Sequence, residues 1–230
     1  MNVYSYDLIK SRHSVRKYLS KEIPIDIVNA LNEEISKCNQ EGNLNLQLVT
    51  NDDNAFSGMK AHYGLITGVR NYVVLVGKRS KDLDERLGYY GQRVVLKAQE
   101  LGLNTCWIGL SFLYKKTKGS YVVNNGEVKR LIIAVGYGEN QGHDRFSKKF
   151  EEVTIASENA LNADWFKKGV EYALLAPTAT NQQKFVFEVL DENVVDLKNG
   201  TGFFSKVDKG IVKLHFEIGA GKHNFTWKNK

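Results

Sequence analysis

The sequence predicts a chain of mixed α and β structure, and three patterns carry that reading. Residues 83–101 place Leu87, Gly91, Val94, Val95, Ala98 and Leu101 on one stripe at helical spacing, and Gly102 ends the stripe. The run Tyr72-Val73-Val74-Leu75-Val76 is continuously apolar, the pattern of a strand buried on both faces, and Leu131-Ile132-Ile133-Ala134-Val135 reads as another strand. At 230 residues and 42% hydrophobic, the chain can bury a substantial core as one large domain or two small ones.

Taken in order, residues 4–10 form a short helical lead-in and residues 15–23 an extended segment. Pro24 then opens a helix whose apolar set is Ile27, Val28, Leu31 and Ile35, running to about residue 40 and stopping near Gly42. Leu44, Leu46 and Leu48 alternate with Asn45, Gln47 and Val49, which is the period of a half-buried strand. A looser region with Gly58, Gly64 and Gly68 follows; Gly68 fits a plain turn or a close approach of ligand to backbone. Gly88, Gly91 and Ala98 suggest that another helix packs closely on residues 83–101. After the extended residues 104–109 come a turn over 110–114, a short helix and the strand 131–138.

From residue 157 the order starts again: helix 158–175 with Leu161, Trp165, Val170, Ala173 and Leu174, strand Phe185, Phe187, Val189, helix Val207, Ile211, Leu214, Ile218 closed by Gly219 or Gly221, and extended residues 224–228. Each half reads as helix, strand, insertion, helix, strand, an internal repeat of element order rather than of residues. There is no low-complexity tract or Ser/Gly linker between them.

The net charge of +6 and a pI near 9.1 invite a nucleic-acid reading, but Lys and Arg are scattered rather than massed, and the excess suits small anionic ligands equally well. Cys38 and Cys106 sit in apolar patterns without CxxC spacing, so they read as buried free thiols, and no metal site is expected. No apolar run approaches the ~20 residues that span a bilayer, and the N-terminus lacks a signal-peptide pattern, so a cytoplasmic protein without membrane or nucleic-acid partners is expected.

Two stretches stand out chemically. Ser11-Arg12-His13-Ser14-Val15-Arg16-Lys17-Tyr18 gathers basic groups and hydroxyls, and Arg12 and Arg16 with Ser14 between them can converge on one anion. Alone, the cluster reads first as a solvated charged turn. Ala176-Pro177-Thr178-Ala179-Thr180-Asn181-Gln182-Gln183 ends a helix at Pro177; it is a helix-stop loop, or a small polar edge for a planar heteroaromatic ligand. Arg145, Lys148 and Lys149 form a second basic cluster.

Arg12-His13-Ser14-Val15-Arg16, Gly102-Leu103-Asn104-Thr105-Cys106-Trp107-Ile108-Gly109, Ile133-Ala134-Val135-Gly136-Tyr137 and Ala176-Pro177-Thr178-Ala179-Thr180-Asn181 each resemble a motif of the FMN-dependent nitroreductase family, and together they span most of the chain. The resemblance implies an α+β fold with helices around a mixed, mostly antiparallel sheet. In ordinary members the Ala-Pro segment follows the first long helix and each flavin lies at a homodimer interface. Here that place holds Lys37-Cys38-Asn39-Gln40-Glu41-Gly42, and the Ala-Pro segment occurs only in the second copy. This resembles a subgroup whose internally duplicated chain imitates half of each partner. It implies a pseudo-dimer with one flavin site, residues 1–150 carrying the basic phosphate cluster and 151–230 the flavin-edging loop.

Carried over residue by residue, the resemblance gives Arg12 and Ser14 to the flavin phosphate and ribityl chain, Arg16 to the pyrimidine edge near N1 and O2, and His13 to a backbone contact or a packed imidazole. Pro177, Thr178, Ala179 and Asn181 line the ring from the second half, the main chain of Ile108 and Gly109 meets the N5 side, and Lys148 with Lys149 helps to hold phosphate. No protein acid or base is required. The implied function is an oxidoreductase in which NADH or NADPH reduces FMN and a small-molecule acceptor, such as a nitroaromatic or a quinone, reoxidises it in ping-pong order. The chain has no GxGxxG motif for a dedicated nicotinamide fold. The rival is a flavin-binding storage or sensor module without turnover. The chain can work as a monomer, with homodimerisation left open.

Overall fold

Two four-stranded sheets organise the chain, whose computed structural model describes residues 4–53, 66–109, 121–191 and 193–228. Ser5 caps helix α1 (Tyr6–Ser11) by accepting the Leu8 N–H at 3.2 Å. Helix α2 (Ile25–Gly42) starts after Pro24, which needs no N–H there, and stops where Asn43 turns left-handed at φ 47°. Strands β1 (Gln47–Val49) and β2 (Asn71–Lys78), helix α3 (Leu83–Glu100), and strands β3 (Asn104–Ile108) and β4 (Glu127–Gly136) complete the first unit. Their sheet has the order β1-β2-β4-β3 with every pair antiparallel, so β3 is an edge. β2 is buried on both faces from Asn71 to Gly77.

The second sheet runs β5 (Thr154–Ile155), β6 (Phe185–Asp191), β7 (Val194–Asn199) and β8 (Thr226–Trp227), an antiparallel β6/β7 hairpin with a parallel partner on each side. Helices α4 (Glu158–Asn162), α5 (Asp164–Leu174) and α6 (Ser205–Ala220) accompany it. The architecture is α+β: the first sheet is wholly antiparallel and the second mixed. Among the described residues no helix is long and apolar enough to cross a membrane.

Several local expectations change. The helix over 158–175 breaks at Ala163 (φ −65°, ψ 124°), which separates α4 from α5 with no proline or glycine to mark the break. Strand β7 appears where only an insertion was read. The alternation over residues 44–49 yields β1 at its end, while Leu44 makes a single bridge to Gly77. Gly68 takes φ +75° because a Cβ there would stand 2.1 Å from the Tyr18 carbonyl oxygen, so backbone rather than ligand makes the close approach. Both cysteines are free and buried. The turn over 110–114 lies outside the described residues.

Helix α6 packs on both α3 and α5, and one apolar cluster runs through both units, from Leu87 and Val94 on α3 to Phe166 on α5 and Phe216 on α6. At the α3–α6 crossing the contact is reciprocal. A Cβ on Gly88 would lie 2.0 Å from the Val207 carbonyl oxygen, and one on Gly210 would lie 1.9 Å from that of Glu85. Each glycine therefore admits the backbone three residues before the other, the pattern of a two-fold contact.

Candidate functional site

The basic segment reaches its place by joining the edge of the first sheet. Ser14 bridges Thr105 of β3 in parallel, the Val15 N–H donates to the Thr105 carbonyl at 3.0 Å, and the Thr67 N–H donates to the Arg16 carbonyl at 2.8 Å. Extended backbone alternates its side chains, so Val15 enters the core while Ser14 and Arg16 face a cleft. That cleft encloses about 240 Å³. Cys106, Trp107 and Gly109 form its floor, Pro177, Thr178, Ala179 and Thr180 one wall, and Phe203, Phe204, Val207, Asp208 and Ile211 the other. Phe203, 77% exposed, stands at the mouth.

Six of the sequence-predicted residues thus converge on the cleft: Ser14, Arg16, Gly109, Pro177, Thr178 and Ala179. The others do not line it. Ile108 is buried in β3. His13 is half-buried: a Cβ on Gly142 would meet its Cβ at 2.4 Å, its Nε2 lies 3.8 Å from Asp144, and burial, followed by the Arg12 charge, holds its pKa below the usual value. The Asn181 side chain turns to Arg145 and donates to the Phe146 carbonyl at 2.8 Å. Lys148 contributes its backbone N–H to Gln183 at 3.0 Å, and exposed Lys149 precedes a 3₁₀ turn over Phe150–Glu152.

Arg12 is 4% exposed, and its Nε has no hydrogen-bond partner. Burial first, then the charge of Arg145, pushes its pKa down to about 10. Among the described residues no carboxylate pairs with it, so a buried guanidinium keeps a donor in reserve. Such a group is costly without an anion. Arg145 is committed elsewhere: besides Asn181 it donates to the carbonyls of Leu174 at 2.8 Å and Ala176 at 2.6 Å.

The loop after α5 is strained. Of the non-glycine residues described with positive φ, Thr180 (50°), Asn181 (56°) and Gln183 (43°) lie in it, and Phe204 (56°) lies on the opposite wall. The left-handed region costs a side-chain-bearing residue roughly 1–2 kcal/mol, and strain of this kind gathers at functional sites. Sequence reasoning missed Trp107 as a cleft residue, Phe203, Phe204 and Asp208. The signal for Asp208 was a lone acid beside Val207 on an otherwise apolar helix face. Trp107 is fixed from behind: its Nε1–H donates to Gln92 at 3.0 Å, Gln92 Nε2 donates to His215 Nε2 at 2.8 Å, and His215 Nδ1–H donates to the Tyr172 carbonyl at 3.0 Å. The indole is only a donor, so this order fixes a neutral His215, and burial pushes its pKa down to about 3.

A second cleft, of about 590 Å³, is lined mainly from α3, α6, β7 and β8. Most of its charges pair among themselves, and Glu41 pairs with Arg93 outside the lining. Glu85 meets Lys209 at 3.3 Å and Lys213 at 3.4 Å, Arg86 meets Asp82 at 2.8 Å, and Glu217 accepts from Tyr89 at 2.5 Å and Trp227 at 2.8 Å while pairing with Lys222.

Comparison with known proteins places this geometry in a family. A "putative nitroreductase" of Thermotoga maritima superposes with a TM-score of 0.65 at 19% identity, over 97% of this chain and 85% of that one. A "putative nitroreductase" of Desulfovibrio desulfuricans, crystallised in complex with FMN, matches at a TM-score of 0.50 and 16% identity over 64% of this chain and 92% of that one. Identities this low speak for the fold alone. No curated protein matches the sequence. The family model described as "Putative TM nitroreductase" fits residues 5–220. That span runs from Ser5, which caps α1, to Ala220, the last residue of α6, and the chain therefore belongs to this nitroreductase family.

Proposed function

We propose that the protein is a flavoprotein oxidoreductase that binds one FMN per chain, takes electrons from NADH or NADPH and passes them to a small organic acceptor such as a nitroaromatic or a quinone. The observation that carries the reading is Arg12, a buried guanidinium without an acid partner and with Nε unpartnered, two residues before Ser14, which lines a cleft built from segments far apart in the chain. A phosphate monoester supplies the oxygens that such a group lacks. The small residues Pro177, Thr178 and Ala179 leave the wall low enough for a planar ring system. The residues present therefore fit the cofactor.

Bound FMN would supply the hydride chemistry. In this reading Arg12 and Ser14 hold its phosphate and ribityl chain. Arg16 brings positive charge to the pyrimidine edge, where reduction builds negative charge, and so favours the reduced form electrostatically. The main chain of Ile108 and Gly109 borders the redox-active side. Pro177, Thr178 and Ala179 border the ring, and Asn181 shapes their loop from outside. Lys148 and Lys149, away from the lining, contribute charge at a distance rather than a hydrogen bond.

One chain supplies both walls because residues 1–150 and 151–230 stand for the two subunits of a dimer. The order helix, hairpin, helix, strand in α2-β1-β2-α3-β3 and in α5-β6-β7-α6-β8 supports this, as does the reciprocal Gly88–Gly210 contact. The functional test is turnover by flavin-loaded protein. Steady NADH or NADPH oxidation with parallel initial-rate lines at several acceptor concentrations is expected, because both substrates use one cleft in turn. Bound flavin without turnover would instead mark a storage or sensor module.

A further inference from the structure

We infer that Asp208 is a positioning residue that holds the 178–183 loop in its cleft-forming shape before any ligand arrives. Pro177 ends the helical path, and the chain then passes through left-handed Thr180, Asn181 and Gln183. A β-branched residue such as Thr180 rarely adopts that region, so the conformation persists only where its surroundings dictate it. Asp208 dictates it from the first turn of α6. Its Oδ1 and Oδ2 accept the Ala179 N–H at 2.9 and 3.1 Å, and Oδ2 also accepts from Gln182 Nε2 at 2.6 Å. These anchors flank the strained pair Thr180 and Asn181.

The carboxylate has no other use in sight. It is 6% exposed, and among the described residues no Lys, Arg or His pairs with it, so its charge is met by loop amides and the N-terminus of α6. Burial without a cation pushes its pKa up to about 6, a standing cost that the loop contacts offset in part. Because the loop is set in advance, a ligand need not supply the free energy of ordering it. The effect on FMN affinity rests on the proposed flavin reading; the effect on the loop does not.

The test compares wild type with Asp208→Asn and Asp208→Leu in the full chain. Amide hydrogen exchange is followed over residues 176–183 without flavin, and FMN affinity is then measured by quenching of flavin fluorescence. Asp208→Leu should speed exchange in the loop while leaving β2 and α3 protected, and should weaken FMN binding ~10-fold or more; Asp208→Asn keeps an acceptor for the Ala179 N–H and should stay within ~3-fold of wild type. Should Asp208→Leu fail to fold, Gln182→Leu removes one of the two Asp208 anchors, together with a donor to the Phe203 carbonyl, and should speed exchange in the same loop. Wild-type loop exchange in Asp208→Leu, or an Asp208→Asn as impaired as Asp208→Leu, would overturn the inference. Wild-type protein that binds no FMN would overturn the flavin reading instead, while the exchange data still decide the role of Asp208.

Discussion

The two clefts that α6 helps to line differ in how they treat charge. The smaller one is lined by a strained loop and mostly apolar side chains, with Arg16 and Asp208 as its charges, and the guanidinium without an acid, Arg12, lies two residues before its Ser14. The larger one has aromatic rings and a dense set of acids and bases, and these neutralise one another. If the α3–α6 crossing is a two-fold inherited from a dimer, the two began as equivalent sites. Volume alone would favour the larger one, yet an internally paired cleft offers an anion nothing that it must not first take from a carboxylate. Unsatisfied chemistry is the better guide to a binding site.

The largest expected effect tests the two-fold itself. Alanine at Gly88 or at Gly210 drives a methyl into a carbonyl of the opposing helix, and backbone cannot rotate away. Each change should cost about 3 kcal/mol or more, at the top of the overpacking range, and the two costs should be similar in urea unfolding. One tolerated and one lethal substitution would break the symmetry.

A contrast between clefts comes next. Glu217→Ala strips the acceptor from Tyr89 and Trp227 and should cost about 2–4 kcal/mol of stability without touching FMN affinity. Arg12→Ala should do the reverse. FMN binding should weaken by about 1.5–3 kcal/mol, with stability unchanged or raised, because an unpaired buried charge has gone. Calorimetry and flavin titration on both variants check the exchange of roles.

Taken per pH unit, the smallest effect is in pH dependence. His215, at about 3 folded against an ordinary 6.5, binds its proton only when unfolded, so stability falls as pH drops below 6.5, by up to ~1.4 kcal/mol per unit. Asp208, at about 6 folded against an ordinary 3.8, works the other way: its penalty is full above pH 6 and is relieved as pH falls towards 4. The two nearly cancel between pH 6 and 4. Asp208→Asn removes the compensation, and its stability should fall more steeply than that of wild type across that window by up to ~1.4 kcal/mol per unit.

Much of the fold was legible because it depends on local pattern: the apolar run of β2, the stripe of α3 and the proline and glycine signals around α2 and α6. Ser14, Arg16 and the Pro177 loop stood out through their resemblance to family motifs; by residue type alone they read as a solvated turn and a helix-stop loop. What escaped was decided by tertiary placement. Nothing in Ala163 announces a helix break, and β7 was hidden because Val195 and Leu197 alternate over only six residues. Trp107 reads as an ordinary strand residue until Gln92 and His215 are seen behind it. Asp208 is marked only as a lone acid on an apolar face of α6, and the loop that it holds is not visible until the chain is folded.

The central claim is that one chain builds one flavin site. Flavin absorbance per mole of chain, measured together with molar mass by light scattering, tests it most directly. One FMN per chain, retained by the monomer on dilution, is the predicted result. Two flavins per chain, or flavin lost whenever a dimer dissociates, would contradict it.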